Sequence, residues 1–117
     1  MAEVAGIQRL VVSVANLERA LGLYRGVLGL EVTARQPELA FLRTSDHVEL
    51  LLHERPVERG DAAVAIGFSV VGLGSTVDQW VAGGGSVLDP PGRQPWGEEM
   101  AVVRDVDGHV VTLSEQR

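Results

Sequence analysis

The chain has 117 residues, 45% of them hydrophobic, which suffices for one domain, or for two half-sized modules sharing a core, and not for two ordinary domains. Ten basic residues against sixteen acidic ones leave a net charge of −6, and no basic run interrupts the excess, so a phosphate backbone is repelled and nucleic acid is not expected as a partner. Cysteine is absent, which removes disulfides and zinc–thiolate sites, and neither a signal-peptide pattern nor an apolar stretch of the roughly 20 residues that span a bilayer is present, so a cytoplasmic protein without a membrane partner is expected.

A β-branched run over residues 7–15 predicts the first strand, and Asn16 follows it as a helix N-cap whose side-chain oxygen can accept an orphan backbone N–H. Leu17, Ala20, Leu21, Tyr24, Val27 and Leu28 then recur at three- and four-residue intervals up to Gly29, the pattern of an amphipathic helix with a glycine stop. Three short strands are predicted over 30–35, 39–44 and 48–53, separated by Gln36-Pro37-Glu38 and Ser45-Asp46. The first half therefore reads βαβββ.

The second half repeats that plan. Shifted by 56 positions, Val12-Ser13-Val14 falls on Phe68-Ser69-Val70, Asn16 on Gly72, and Gly29 on Gly85. Val77, Trp80 and Val81 keep one apolar helix face, with Tyr24 and Trp80 both read as core. A long Pro- and Gly-rich loop around Trp96 displaces the last strands, and a shift of 63 lays Val48-Glu49-Leu50 on Val111-Thr112-Leu113. The expected organisation is a first module over about 1–54, a linker over 55–62 and a second module over about 63–117. The Asp105-x-Asp107-Gly108 run is read as a tight turn rather than a calcium loop.

The run from Leu17 through Tyr24-Arg25-Gly26-Val27-Leu28-Gly29-Leu30, followed by Phe68-Ser69-Val70, Trp96-Gly97 and Asp105-Val106-Asp107-Gly108-His109, resembles the vicinal oxygen chelate superfamily of glyoxalases, bleomycin-resistance proteins and dioxygenases over nearly the whole chain. The resemblance implies an α+β fold of two βαβββ modules forming a cupped mixed β-sheet with helices on its outer face. It also implies a homodimer with ligand sites at the module interface, and a divalent metal held on the first and last strands of each module. The first-strand ligand position, seven residues before the cap, is Arg9, and its repeat is Ala65; the last-strand positions fall on Glu49 and Thr112. Of these only Glu49 is a strong ligand, where a catalytic site needs about three. No metal and no other cofactor is therefore expected.

Two readings of Arg9 stand side by side. In one its guanidinium replaces the lost cation and pairs with Glu49 on the concave face; in the other it reaches out to solvent. Because alternate strand residues share a face, the cup is expected to carry Arg9, Val11, Ser13, His47, Glu49, Leu51, His53, Ala65, Gly67, Ser69, Val110, Thr112 and Ser114, joined by Trp96 from the loop, with Ala65, Gly67 and Ser69 leaving volume for a sizeable ligand. Trp96 either stacks on a planar ligand or pins its loop. Leu10, Val12, Val14, Leu50, Leu52, Ile66, Phe68, Val70, Val111 and Leu113 should face the helices as core. The function expected is that of a metal-free protein that sequesters a hydrophobic or planar organic compound, an antibiotic among the options, in a dimer cleft, with no catalytic residue. The alternative is a lyase or dioxygenase-like enzyme, either metal-dependent or using His53 or Glu49 as acid/base.

Overall fold

Apolar side chains at every second position turn strand β1 (Leu10–Val14) into a two-faced ribbon: Val12 and Val14 are buried, and Val11 between them is exposed. This is seen in a computed structural model that describes residues 2–3, 5–57 and 64–116. The chain continues through α1 (Leu17–Tyr24), β2 (Glu31–Gln36), β3 (Leu39–Arg43) and β4 (Glu49–Glu54), then β5 (Ile66–Val70), α2 (Leu73–Ala82), β6 (Ser86–Arg93), β7 (Glu99–Arg104) and β8 (Val110–Glu115). The result is α+β, two βαβββ modules as the repeat implies. The joining segment expected over 55–62 falls mostly outside the described residues.

Each half makes its own four-stranded mixed sheet, in the orders β1-β4-β3-β2 and β5-β8-β7-β6, with the first pair parallel and the others antiparallel. Strand register corrects one expectation. Val12 lies beside Leu52 and Phe68 beside Leu113, so the last strands correspond at a shift of 61, and Thr112 matches Leu51 while Glu49 matches Val110. The β3–β4 and β7–β8 turns confirm this shift through the same pair of backbone hydrogen bonds, Thr44 to Val48 and His47 to Thr44 in one, Asp105 to His109 and Gly108 to Asp105 in the other. The shift of 63 overshoots by two residues because it matches a Val-x-Leu pattern that repeats along an alternating strand. A slip of two keeps every side chain on its own face, so the division into cup and core survives.

Asn16 caps α1 from an extended backbone, its side chain accepting from the Arg19 N–H at 3.0 Å. The helix stops at Tyr24, a turn before Gly29, where four-residue bonds begin to alternate with wider ones: Gly26 N–H bonds the Leu21 carbonyl and Leu28 N–H that of Leu23, each five residues back. A Cβ on Gly26 would lie 2.4 Å from the Gly22 carbonyl oxygen, so this widened turn requires glycine. Helix α2 begins from the left-handed Gly72, which has no side chain to cap it; both Glu115 carboxylate oxygens take over, accepting from the Gly72 and Leu73 N–H groups at 2.8 and 3.0 Å. The first module has the counterpart, Glu54 accepting from Leu17 N–H at 2.8 Å.

The two modules share one core. Tyr24 and Trp80, both buried, meet edge to face with ring centroids 6.1 Å apart, and Trp80 Nε1 donates to the Arg104 carbonyl at 2.8 Å. Val12, Val14, Leu50, Leu52, Val111 and Leu113 sit in this core as alternation predicts, whereas Ile66, Phe68 and Val70 are only half-buried. A cavity of about 540 Å³ explains the difference: those three residues line it, together with Leu10, Leu28, Leu30 and Leu50.

Candidate functional site

The β7–β8 turn ties the modules together. Asp105, 4% exposed, accepts the Tyr24 hydroxyl at 2.7 Å on one oxygen and the Asp107 and His109 amides on the other. Asp107 Oδ1 accepts from the Ala15 N–H at 3.0 Å, and His109 Nε2 donates to the Ser13 carbonyl at 2.7 Å. Burial, and then the adjacent Asp105 charge, push the Tyr24 hydroxyl well above its ordinary pKa of 10.0. Asp105, Asp107 and His109 bring ligand atoms within 4.8 Å of one another, the one such group among the described residues. Both Asp105 oxygens and one Asp107 oxygen already accept protein hydrogen bonds; Asp107 Oδ2 is buried and has no partner among the described residues. The sequence reading of a tight turn therefore describes this segment, and its clasp on α1 was not legible, because it spans more than 80 residues.

On the concave face of the first module, Arg9 Nε donates to Glu49 Oε2 at 2.7 Å, and the guanidinium lies 5.4 Å from the centre of the Phe41 ring. Of the two readings of Arg9, the structure has the ion pair, with both side chains about one-third exposed, at 34% and 33%. Val11 sits beside Leu51 and Ser13 beside His53, while Arg55 Nε donates to Ser13 Oγ at 2.7 Å. Large side chains fill this face.

The same face of the second module is emptied. Gly67, Ser69, Thr112 and Ser114 occupy the places of Val11, Ser13, Leu51 and His53, and a cavity of about 800 Å³ opens over them. A Cβ on Gly67 would come within 2.7 Å of Thr112 Oγ1, so the Thr112 side chain and the absence of one at Gly67 set the depth of the floor together. Trp96, 63% exposed, forms one wall; its Nε1 donates to Glu98 Oε1 at 3.0 Å. Glu98, Met100 and Glu115 complete the lining. The Leu73 and Gly72 amides hold the Glu115 carboxyl below its ordinary pKa of 4.5.

The structure thus gathers Gly67, Ser69, Trp96 and Thr112 in one cavity. It places Arg9, Val11, Ser13, Glu49, Leu51 and His53 on the other module, and Ala65 outside the lining. Glu98 escaped the sequence reading, since the loop that carries Trp96 has no counterpart in the first half from which to transfer a position; Met100, the counterpart of Leu39 on β7, escaped it because the cup was read from the first and last strands alone. Ser114 was legible as a face residue by alternation alone. Metal chemistry has little to grip where the resemblance puts it: the Arg9 side chain offers donors and no lone pair, Ala65 has no polar side-chain atom, Thr112 is a neutral hydroxyl, and Glu49 is paired with Arg9. These four residues do not fit a divalent ion.

A family model described as glyoxalase/bleomycin resistance protein/dioxygenase superfamily matches residues 6–113. Among solved structures the chain is similar to a glyoxalase-related enzyme from Fulvimarina pelagi, with a TM-score of 0.83 and 20% identity over 97% of this chain and 89% of that one. It is similar to a glyoxalase/bleomycin resistance protein/dioxygenase family enzyme from Burkholderia phytofirmans PsJN, with a TM-score of 0.76 and 15% identity over 92% and 96% of the two chains. A lactoylglutathione lyase from Agrobacterium tumefaciens gives a TM-score of 0.65 and 24% identity over 97% and 95%. At such identities the likeness is one of fold. None of the curated proteins matches by sequence.

Proposed function

The chain belongs to the glyoxalase/bleomycin resistance protein/dioxygenase superfamily, and on that premise we propose that it is a metal-independent binding protein that holds a small organic ligand in the concave face of its second module. The observation that carries this reading is the asymmetry between the two halves: the first face is filled by Val11, Leu51, His53 and the Arg9–Glu49 pair, and the second is opened by Gly67, Ser69, Thr112 and Ser114 to about 800 Å³. An open floor of small and hydroxylated residues beside an indole wall and Met100 is a ligand site by default. The exposed Val11 and Trp96 further support a homodimer in which a second copy covers part of each face.

The enzymatic alternative draws on the Asp105, Asp107 and His109 group, the one set of ligand atoms close enough to share an ion. Three of its four carboxylate oxygens already accept protein hydrogen bonds, which favours a clasp. One experiment separates the readings. A library of small planar compounds is screened by Trp96 emission on chelator-treated protein, with Gly67→Val/Thr112→Leu, which copies Val11 and Leu51 of the first module, as the filled control. The proposal expects quenching by some compounds that the filled variant abolishes and that nickel, zinc, manganese or iron leaves unchanged. Tight stoichiometric metal, or turnover of a bound compound, supports the enzyme.

A further inference from the structure

We infer that the second-module cavity selects a planar organic cation, with Trp96 and Glu98 acting together as the recognising wall. The inference rests on the proposed binding role of that cavity and adds the charge and shape of what fills it. Trp96 presents an indole that is 63% exposed, an unusual state for so large an apolar ring, beside a floor of small and hydroxylated residues. Its edge is fixed by the Nε1–H bond to Glu98 Oε1 at 3.0 Å, and donation to a carboxylate leaves the ring face richer in electron density, which strengthens its attraction for a cation stacked on it. Glu98 Oε2 has no hydrogen-bond partner among the described residues.

The charge of the lining points the same way. Two carboxylates, Glu98 and Glu115, border the cavity, and among its described lining residues there is no arginine or histidine to balance them. Glu115 is held ionised by two backbone amides. Arg93, opposite Glu99 in the β6–β7 register, is not among the lining residues, and Arg104 donates to the Gly108 carbonyl at 2.8 Å. The face of the first module differs in charge, since the carboxylate there, Glu49, is paired with Arg9, and Arg55 reaches the same face further along through Ser13. A flat neutral ligand would use the indole and leave the carboxylates idle; a flat cation uses both.

Three tricyclic probes of one shape test this: N-methylacridinium, neutral acridine at mildly alkaline pH, and the acridine-9-carboxylate anion, each titrated against tryptophan emission at low salt. Trp96→Phe leaves the buried Trp80 as a silent reference. The inference expects the cation to bind on the order of tenfold tighter than acridine and the anion weakest, with Glu98→Gln bringing cation and neutral probe close to parity. The exposed Asp78→Asn on α2 should keep the preference; if it erases the preference as Glu98→Gln does, net charge is the cause and the inference is overturned. Equal binding of cation and neutral probe, abolished by Gly67→Val/Thr112→Leu, overturns the charge selection and leaves the binding role standing. No response to any of the three overturns both.

Discussion

Arg9 and Glu49 show how a lone carboxylate among lost ligands can be stabilised. With each side chain about one-third exposed, their 2.7 Å bond contributes little in itself, about 0.5–1 kcal/mol, but removing one partner strands the other beside Phe41. Glu49→Gln alone should therefore lower the thermal midpoint more than Arg9→Met/Glu49→Leu together, and equal losses would count against the pair. Tyr24 sits at the other extreme of burial. Tyr24→Phe leaves the Asp105 carboxylate oxygen without its donor at a site only 4% exposed, at a cost of about 1–3 kcal/mol. Since folding raises the Tyr24 pKa above 10.0, its protonated form is favoured in the native state. That stability is whole below pH 10.0 and is lost as pH rises through the elevated value, so urea midpoints of the wild type should fall above pH 10.0 more steeply than those of Tyr24→Phe.

At the scale of elements, duplication lets one half serve as a control for the other. The β3–β4 turn places His47 at φ 69°, where the β7–β8 turn has Gly108 at φ 86°; the same left-handed bend is built with a side chain in one and without in the other. His47→Gly should relieve the clash of Cβ with its own backbone and, after the added freedom of the unfolded glycine, raise stability by up to about 1 kcal/mol, measured by denaturant unfolding. The helix starts differ likewise. Asn16→Ala should cost about 1 kcal/mol through its bond to Arg19 N–H, whereas α2 depends on Glu115 and should weaken as pH drops below 4.5, the ordinary value from which its pKa is lowered. Glu115→Gln should flatten that acid limb. The succession of strands and helices along the chain and the Asn16 cap were legible in the sequence because they rest on periodicity and local chemistry. The Glu115 cap was not, since it joins residues more than 40 positions apart.

For the molecule as a whole, alternation placed Val12, Val14, Leu50, Leu52, Val111 and Leu113 in the core but not Ile66, Phe68 and Val70, which are half-buried, and Arg9 meets Glu49 although they stand 40 residues apart. The division of labour is legible in part, since the small Ala65, Gly67 and Ser69 leave volume on the second face; the register completes it, with Thr112 matched to Leu51 and Gly67 to Val11, so that one half is packed and the other hollow. Glu98 belongs to the hollow half through a loop with no counterpart in the first module, so no repeat could announce it. The hollow face and its missing ligand set carry the functional account. The most direct test is a titration of chelator-treated protein with N-methylacridinium, followed by Trp96 emission, with and without added zinc or nickel. The account predicts the same saturable quenching in both, and quenching that appears only when one metal ion per chain has been restored would contradict it.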